Sequence, residues 1–493
     1  MQIVSSAAEG LASQDTERVR FRQIPRLLRQ LSILRAPIWI VLSVGLLLRT
    51  VLPLAAMTTH HDSSVFVEND TESYLAPAQA LLTSGVFSTA NHPEIVRTPG
   101  YPLFLIPGLV SGHLKTVTIT LQIAISTLTV FLVYLTSRVL FSETIAYSCA
   151  SFYAIEPLSV FYSSQLLSET LFSFMVVLFL YLFARYLKQP RVPMLIAGAL
   201  VLAAATYVRP ISYYLSIILV PIVFYTSARI HRRSKAMIHA LSFLLVCLTV
   251  LVPWQIRNYR VTGYGQFSAV GDQNLYFYRG ASVIAKLTNR SFSEVQKELG
   301  FNAWTQYIRV HPDQATWSYG QRYAFMRWEG LRLIRNNLRI YAPIHLRGMV
   351  SVIVNPGGIV YGMLFKKVPT SMNPVDALPT LDTLRTNYPV IFWLCISLAV
   401  LLLCYLVMAV IGSAMAWWRE RTAAILLGTV AVYFVLVSSG AESAGRFRHP
   451  IMPIVCFFAG YASALLFRRR AQVRTEANPA VLLRSYFSPV VHR

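Results

Sequence analysis

The chain has 493 residues, of which 55% are hydrophobic and only 13% are charged. A soluble chain of this length would form about three domains and carry roughly twice that share of charge. The net charge of +23 is distributed between apolar runs, so we expect no nucleic-acid partner. Composition therefore excludes an ordinary soluble enzyme and indicates a polytopic membrane protein.

The N-terminal residues 1–36 are polar and rich in arginine. They contain no short apolar region followed by a small-residue cleavage site, so no signal peptide is predicted. The first apolar run, 37–57, is expected to stay in the membrane as an anchor.

Ten apolar runs approach the roughly 20 residues that a membrane-spanning helix needs. Several are nearer 17 residues, which indicates short or tilted helices. The runs are 37–57, 116–137, 144–162, 166–184, 193–208, 211–228, 236–254, 388–411, 422–438 and 451–467.

The short loops between these runs set the predicted orientation. The loops 138–143, 185–191, 229–235 and 419–421 are rich in Lys and Arg, and all of them fall inside if the N-terminus is inside. We therefore predict an all-α bundle of about ten transmembrane helices with both termini cytoplasmic. Its parts are a cytoplasmic basic segment 1–36, a seven-span core 37–254 that includes the first outer loop 58–115, an outer or interfacial segment 255–387, three spans in 388–467, and a basic cytoplasmic tail 468–493.

Two parts of the outer segment are open to more than one interpretation. Residues 304–340 carry aromatic and arginine side chains at mixed helical spacing, which suits amphipathic helices lying on the outer membrane surface. A small folded outer domain fits equally well. The apolar stretch 341–365 leaves a further helix pair open.

The first outer loop gathers the scarce acids of this basic chain. Glu68, Asp70 and Glu72 lie within five residues of one another. A short helix is predicted to follow, with a capping box formed by Asn69 and Glu72 and an end at Gly85. Asp70 could then serve only to stabilise the helix dipole. Tyr74, Ala78, Leu81 and Leu82 are predicted to lie on one face of this helix.

Other polar residues collect on the same predicted side of the membrane. Each has a simple alternative role: an outer arginine can lie along the membrane surface or pair with a nearby acid, as Arg97 could with Glu94. His449 is interpreted as a solvated loop residue. The residues are Arg97, Glu169, Arg209, Arg257, Arg446, Arg448 and His449.

No metal site is predicted, although a divalent metal is left open. His60, His61 and Asp62 lack a fourth ligand at any standard spacing. The five cysteines all lie in apolar runs, which favours packing roles over disulfides.

The combination of acids and arginines is more informative than any single residue. Arginines at a membrane face suit a phosphate by charge and by bidentate geometry, and an ionised carboxylate suits removal of a proton from a hydroxyl. A phosphate-bearing lipid from which a group is transferred would need both.

With these residues in these positions, the sequence resembles the lipid-linked-sugar-dependent glycosyltransferases of the GT-C superfamily. The branch includes protein mannosyltransferases, aminoarabinose transferases and bacterial lipopolysaccharide-core glycosyltransferases. The resemblance covers roughly residues 37–270 and 388–467. It is carried by "DTESY" from Asp70 to Tyr74, Gly85, "RTPGYPLFL", "LLSETLF", "RP" at 209–210, "PWQIRN" and "GRFRHPIMP".

The resemblance implies an inverting glycosyltransferase that uses a polyprenyl-phosphate sugar. The acceptor would be a hydroxyl of a glycan, glycolipid or protein, on the periplasmic or exterior side of the cell membrane. Asp70 would act as the base, with Glu68, Glu72, Glu169 and Tyr74 in acceptor-binding or supporting roles. The donor phosphate would be bound by Arg97, Arg209, Arg257, Arg446 and Arg448.

Two other classes of function remain open. A transporter or flippase of lipid-linked glycans should carry ionisable groups near the middle of the membrane, for which Arg49 is the main candidate. A membrane scaffold without catalysis would not need four arginine-bearing outer segments.

Overall fold

The computed structural model describes residues 36–60, 63–90, 92–365 and 381–476. This part of the chain is almost entirely helical, with one two-stranded hairpin of Ser88–Thr89 and His92–Pro93. The principal helices are α1 Ala36–His60, α2 Thr71–Ser84, α3 Gly100–Val110, α4 Leu114–Leu140, α5 Glu143–Ala154, α6 Pro157–Tyr162, α7 Glu169–Lys188, α8 Val192–Val208, α9 Leu215–Ala228, α10 Arg233–Thr262, α11 Val270–Asn274, α12 Ala281–Thr288, α13 Phe292–Leu299, α14 Trp304–Val310, α15 Tyr319–Asn336, α16 Leu338–Val354, α17 Gly358–Leu364, α18 Leu381–Asn387, α19 Pro389–Arg419, α20 Arg421–Ser438 and α21 Met452–Glu476. Short 3₁₀ turns lie at Ser63–Phe66, Pro210–Ser212, Pro312–Gln314 and Gly445–Ile451, and a π-helical turn lies at Leu275–Gly280.

Seven helical segments of the described chain are long and apolar enough to cross a membrane. They correspond to seven of the ten predicted runs, and the runs 193–208 and 211–228 form the shorter apolar helices α8 and α9. The prediction of an all-α, polytopic membrane protein is therefore confirmed.

The run 144–162 is not one continuous helix. It divides into α5 and α6 at Ile155 and Glu156. Pro157 cannot donate a backbone hydrogen bond, and Glu156 caps the new helix by accepting from the backbone N–H groups of Leu158 and Ser159 at 3.0 and 2.6 Å. Proline and a capping acid thus interrupt what hydropathy alone predicts as one span.

Arg49, which lies on the first span α1, binds the backbone at this interruption. Its side chain is fully buried, and it donates to the carbonyl oxygens of Ala154 at 2.8 Å and Tyr153 at 3.4 Å, where α5 ends. Its remaining bonds go to the Gly45 carbonyl and the hydroxyls of Ser126 and Ser159. These five bonds match the five N–H donors of a guanidinium. Arg49 therefore has a structural role, which weakens its candidacy for a transport path.

The predicted helix of the first outer loop is α2, and Gly85 ends it with a φ of 69°. The predicted capping box is not formed. The residue before α2 is Asp70, and its side chain makes no capping hydrogen bond. Leu82 is 44% exposed, so it does not share the buried face with Tyr74 and Ala78. The buried residues of α2 are Thr71, Tyr74, Pro77 and Ala78.

The outer segment folds against the first outer loop. The Ala269 N–H donates to the Ile95 carbonyl at 2.8 Å, and the Ser268 hydroxyl donates to the Val96 carbonyl at 2.6 Å. Ile95 also joins the segment's own hydrophobic cluster, so this cluster packs beside the loop that carries the acids. The other buried members of this cluster are Tyr264, Ala269, Tyr276, Phe277, Tyr307, Tyr323 and Met326.

Candidate functional site

Asp70 lies at the centre of the candidate site. Its Oδ1 accepts from Arg97 Nη2 at 2.8 Å, and its Oδ2 accepts from Arg446 Nη2 at 2.5 Å. The two arginines come from opposite ends of the chain. The positive charge of Arg446, assisted by Arg97 and opposed by burial, holds the pKa of Asp70 well below its usual range. Asp70 is therefore a carboxylate held between two arginines, and its side chain does not cap α2.

Arg97 is held on every side by neighbours from α2. Its Nε donates to the Ser73 hydroxyl at 2.9 Å, and its Nη1 donates to the Tyr74 hydroxyl at 3.2 Å. The guanidinium also lies 4.5 Å from the centre of the Tyr74 ring. The Glu94 carboxylate binds backbone N–H groups, including that of Arg97. The alternative pairing of the Arg97 side chain with Glu94 is therefore not formed.

Arg446 is less restrained than Arg97. It lies in the 3₁₀ turn Gly445–Ile451 before α21, and its guanidinium contacts the Asp70 carboxylate and the ring of Phe447. Within the described chain, Asp70 is its only salt-bridge partner. A competing anion would thus need to replace a single carboxylate to bind Arg446.

A second ion pair lies beside the first. Glu169 Oε1 is 2.5 Å from Arg209 Nη1, and Ser168, immediately before Glu169, contacts the Tyr74 hydroxyl at 3.1 Å. The carboxylate of Glu169 is buried, and its Oε2 has no hydrogen-bond partner in the described part of the chain. The structure thus brings Asp70, Tyr74, Arg97, Arg446, Glu169 and Arg209 into one connected polar cluster.

Arg257 is not brought to Asp70. It donates to the carbonyl oxygens of Glu94 at 2.5 Å and Phe87 at 2.6 Å, and its guanidinium lies 4.8 Å from the centre of the Trp254 ring. These contacts fasten the hairpin of the first outer loop to α10. They occupy donors that a phosphate would require.

Arg448 is likewise directed away from Asp70. It is buried, and its Nη1 donates to the carbonyl oxygens of Val352, Ile353 and Asn355 at 3.2, 3.0 and 2.7 Å. These groups lie at the C-terminal end of α16, where helix carbonyls lack internal partners. Arg448 is thus placed to cap α16, while Arg446, two residues earlier, faces the carboxylate.

The two other acids of the first outer loop differ in exposure. Glu72 is exposed and Glu68 is half-buried. The backbone of Glu68 forms a turn with Thr71, whose N–H donates to the Glu68 carbonyl at 2.9 Å and whose hydroxyl accepts from the Glu68 N–H at 3.0 Å. Burial raises the pKa of the Glu68 carboxyl.

The interpretation of His449 as a solvated loop residue is wrong. The side chain is only 2% exposed, and its Nδ1 lies 2.6 Å from the Ser173 hydroxyl on α7. The turn that contains His449 packs between helices, because it continues directly into the apolar helix α21. Sequence reasoning also missed Ser73 and Ser168, which carry no charge and lie at unremarkable positions.

Within the described ranges, no group of three or more His, Cys, Asp and Glu side chains is arranged to hold a metal. His61 and Asp62, from the cluster considered above, lie outside the described residues.

Comparison with known proteins finds a family model that matches part of the chain. Residues 99–256 match the family model of the dolichyl-phosphate-mannose-protein mannosyltransferases. The match confirms the predicted resemblance to the GT-C superfamily over that segment, which contains Glu169 and Arg209 but ends before Arg446 and begins after Asp70. No match to the chain is found among curated proteins.

Solved structures that resemble the chain are oligosaccharyltransferases of Archaeoglobus fulgidus. The apo form is 14% identical with a TM-score of 0.49, and the alignment covers 89% of this chain and 52% of that one. The enzyme AglB in complex with an inhibitory peptide and a dolichol-phosphate is 14% identical with a TM-score of 0.46, covering 88% and 52%. The chain thus spans about half the length of these proteins.

Proposed function

We propose that the chain is an inverting glycosyltransferase that acts at the outer face of the cell membrane. It moves a sugar from a polyprenyl-phosphate-linked donor to a hydroxyl of a glycan, glycolipid or protein acceptor. The observation that carries this proposal is the pair of arginines that converge on Asp70 at 2.8 and 2.5 Å. The family match at residues 99–256 supports it.

Arg97 and Arg446 are the proposed phosphate ligands. Both already bind one carboxylate through their guanidinium groups, and a phosphate offers oxygen acceptors of the same kind with more negative charge. The phosphate becomes more negative as the bond to the sugar breaks, so fixed positive groups stabilise the transition state more than the bound donor. Arg209, paired with the buried Glu169, supplies further positive charge at the edge of this cluster.

The acceptor hydroxyl loses a proton during the attack, and the first outer loop carries the carboxylates that can take it. The resemblance names Asp70. Both oxygens of Asp70 accept from arginines, so Asp70 becomes available as a base only when the donor phosphate draws an arginine away. This arrangement assigns Asp70 at least the task of holding Arg97 and Arg446 where the phosphate will bind.

A deletion strain tests the proposed function. We expect mass spectrometry of its membrane glycolipids and glycoproteins to show one glycan that lacks a sugar. Wild-type protein should restore that sugar, and the Arg97→Ala variant should not. Arg290→Ala, which removes an exposed arginine paired with Glu298, is the control and should restore it.

The same experiment separates transfer from transport. Loss of a flippase would leave intact lipid-linked glycans stranded on the inner face instead of removing one sugar. Unchanged glycans in the deletion strain would contradict the proposal.

A further inference from the structure

We propose that Glu68 receives the proton of the acceptor hydroxyl, while Asp70 remains a positioning residue for the two arginines. This inference rests on the proposed glycosyl transfer and assigns the base within the same site. It differs from what the resemblance implies, and it starts from the unequal surroundings of the two carboxylates.

Asp70 is poorly placed to take a proton. Each of its oxygens accepts from a guanidinium, at 2.8 Å from Arg97 and 2.5 Å from Arg446. The same two charges hold the pKa of Asp70 below its usual range, and a carboxylate with a low pKa is a weak general base. Arg97 cannot easily leave, because Ser73 and Tyr74 hold its other nitrogens.

Glu68 has the opposite surroundings. Its half-buried carboxylate makes no hydrogen bond or ion pair with another side chain or backbone group in the described ranges, so both oxygens are available there. Its backbone is fixed, because Thr71 closes the turn and the Thr71 hydroxyl donates to the Leu166 carbonyl at 3.0 Å. The Leu166 N–H in turn donates to the Phe66 carbonyl at 2.9 Å. Within the described part of the chain the Glu68 carboxylate is thus unpaired, and its backbone is held in place.

The charges around Glu68 suit the same role. Burial raises the pKa of Glu68, and the strongest opposing influence is Arg446, with Glu169 and Asp70 acting in the same direction as burial. Glu68 therefore lies within the field of the polar cluster without being neutralised by direct contact. A raised pKa brings a carboxylate closer to the value that suits a general base at neutral pH. Glu72 is exposed and lacks these properties.

The acceptor oxygen attacks the anomeric carbon and forms the new C–O bond, while its proton moves to the Glu68 carboxylate. The bond between the anomeric carbon and the phosphate oxygen breaks, and its electron pair stays on the phosphate held by Arg97 and Arg446. Glu68 then releases the proton to water, which restores the site.

Two measurements on each variant separate the base from the positioning residue. The first is the initial rate of formation of the glycan that the deletion strain lacks, in isolated membranes with their endogenous donor and acceptor. The second is the affinity of the purified, full-length protein for farnesyl phosphate, a soluble probe for the phosphate site. The variants are Glu68→Gln and Asp70→Asn, with Glu294→Gln as control. Glu294 is an exposed acid whose capping box glutamine preserves.

We expect Glu68→Gln to lower the rate by about 10²–10⁴-fold with its farnesyl phosphate affinity and thermal unfolding midpoint unchanged. We expect Asp70→Asn to change the farnesyl phosphate affinity by about tenfold or more, because Asp70 both anchors the two arginines and competes with the phosphate for them. The wild-type rate should fall as pH drops through a value above the usual glutamate range, since protonated Glu68 cannot accept a proton. Glu68→Asp should recover part of the rate and shift this pH dependence.

Three results would overturn the inference. One is a near-wild-type rate in Glu68→Gln. Another is an Asp70→Asn variant that loses its rate but keeps its farnesyl phosphate affinity, which would return the base role to Asp70. The third result applies if Glu68→Gln fails to fold. It is a transfer rate in Glu68→Asp with the same pH dependence as in wild type. Failure of wild-type membranes to form the glycan would instead reject the proposed function itself, and the inference with it.

Discussion

A single carboxylate joins residues from the two ends of the chain. Asp70 binds Arg97 from its own loop and Arg446 from the turn before α21. Arginine suits both positions, because its planar guanidinium can bind two acceptors in a fixed direction and does not lose its charge on burial. At the scale of residues, the site is a pair of arginines that share one internal carboxylate.

Replacement of Arg97 tests this description. We expect Arg97→Ala to weaken farnesyl phosphate binding strongly and to raise the transfer barrier by about 2–4 kcal/mol, by analogy with lost oxyanion donors. Arg97→Lys should have a smaller effect, because lysine keeps the charge but loses the fork that contacts Asp70 and Ser73 together. Binding and transfer rate of the purified variants provide the measurement, with Arg290→Ala as control. Equal, small effects of alanine and lysine would contradict the phosphate role.

The pH dependence of stability tests the Asp70 pairing. The pKa of Asp70 is lowered in the folded protein, mainly by Arg446. Its stabilising contribution is therefore present above the unfolded pKa of about 3.9 and is lost as pH falls through the lower folded value. The difference in thermal unfolding midpoint between wild type and Asp70→Asn should stay constant from pH 7 to pH 5. A difference that already shrinks across that range would show that Asp70 is not paired as described.

At the scale of elements, the loops that carry the candidate site are positioned by close contacts between helices. Gly100 begins α3 at the point where this helix meets the end of α8. A Cβ atom at Gly100 would lie 2.6 Å from the Tyr207 carbonyl oxygen and 2.7 Å from the Val208 nitrogen. Both are backbone atoms and cannot rotate aside. Gly100 thus permits α3 to approach α8, three residues after Arg97.

Gly100→Ala should therefore destabilise the protein by about 1–3 kcal/mol, the usual range for overpacking. It should also lower the transfer rate, because α3 carries the end of the loop that places Arg97. Gly428→Ala in α20 is the matched control, since a Cβ there meets no atom within 4 Å and alanine favours a helix. The thermal unfolding midpoint of both purified variants is the measurement. Equal stability of the two variants would mean that α3 and α8 are not packed this closely.

At the scale of the whole molecule, the distribution of charge and the position of the site lead to one orientation. The arginine-rich short loops are predicted to lie on one side of the membrane, and the polar cluster around Asp70 lies in loops predicted to be on the other side. The orientation itself follows from the tendency of Lys and Arg to remain in the cytoplasm. An outer-facing site is therefore a prediction about the molecule as a whole.

Single-cysteine labelling tests this orientation in a cysteine-free background. We expect an impermeant maleimide added to intact cells to label Glu72→Cys, which is exposed beside the site. Arg232→Cys, exposed in the loop before α10, should react only after the membrane is opened. Both positions can be labelled without disturbing a buried contact. The reverse pattern would place the site on the cytoplasmic side and contradict the proposed reaction at the outer face.

The sequence by itself determined the features that depend on local pattern. Hydropathy identified the all-α membrane fold, and helix period with a terminal glycine identified α2 and its end at Gly85. Acids and arginines were recognised as site candidates because charged residues are scarce in such a chain and costly to bury there.

Only the tertiary structure decided which of these charges meet. Arg446 and Arg448 are two residues apart in one short turn, yet one binds Asp70 and the other binds the carbonyl end of α16. Arg257 likewise binds distant backbone carbonyls, those of Glu94 and Phe87. The partner of a long, flexible guanidinium depends on which distant element packs beside it, and residue identity and spacing along the chain do not contain that information.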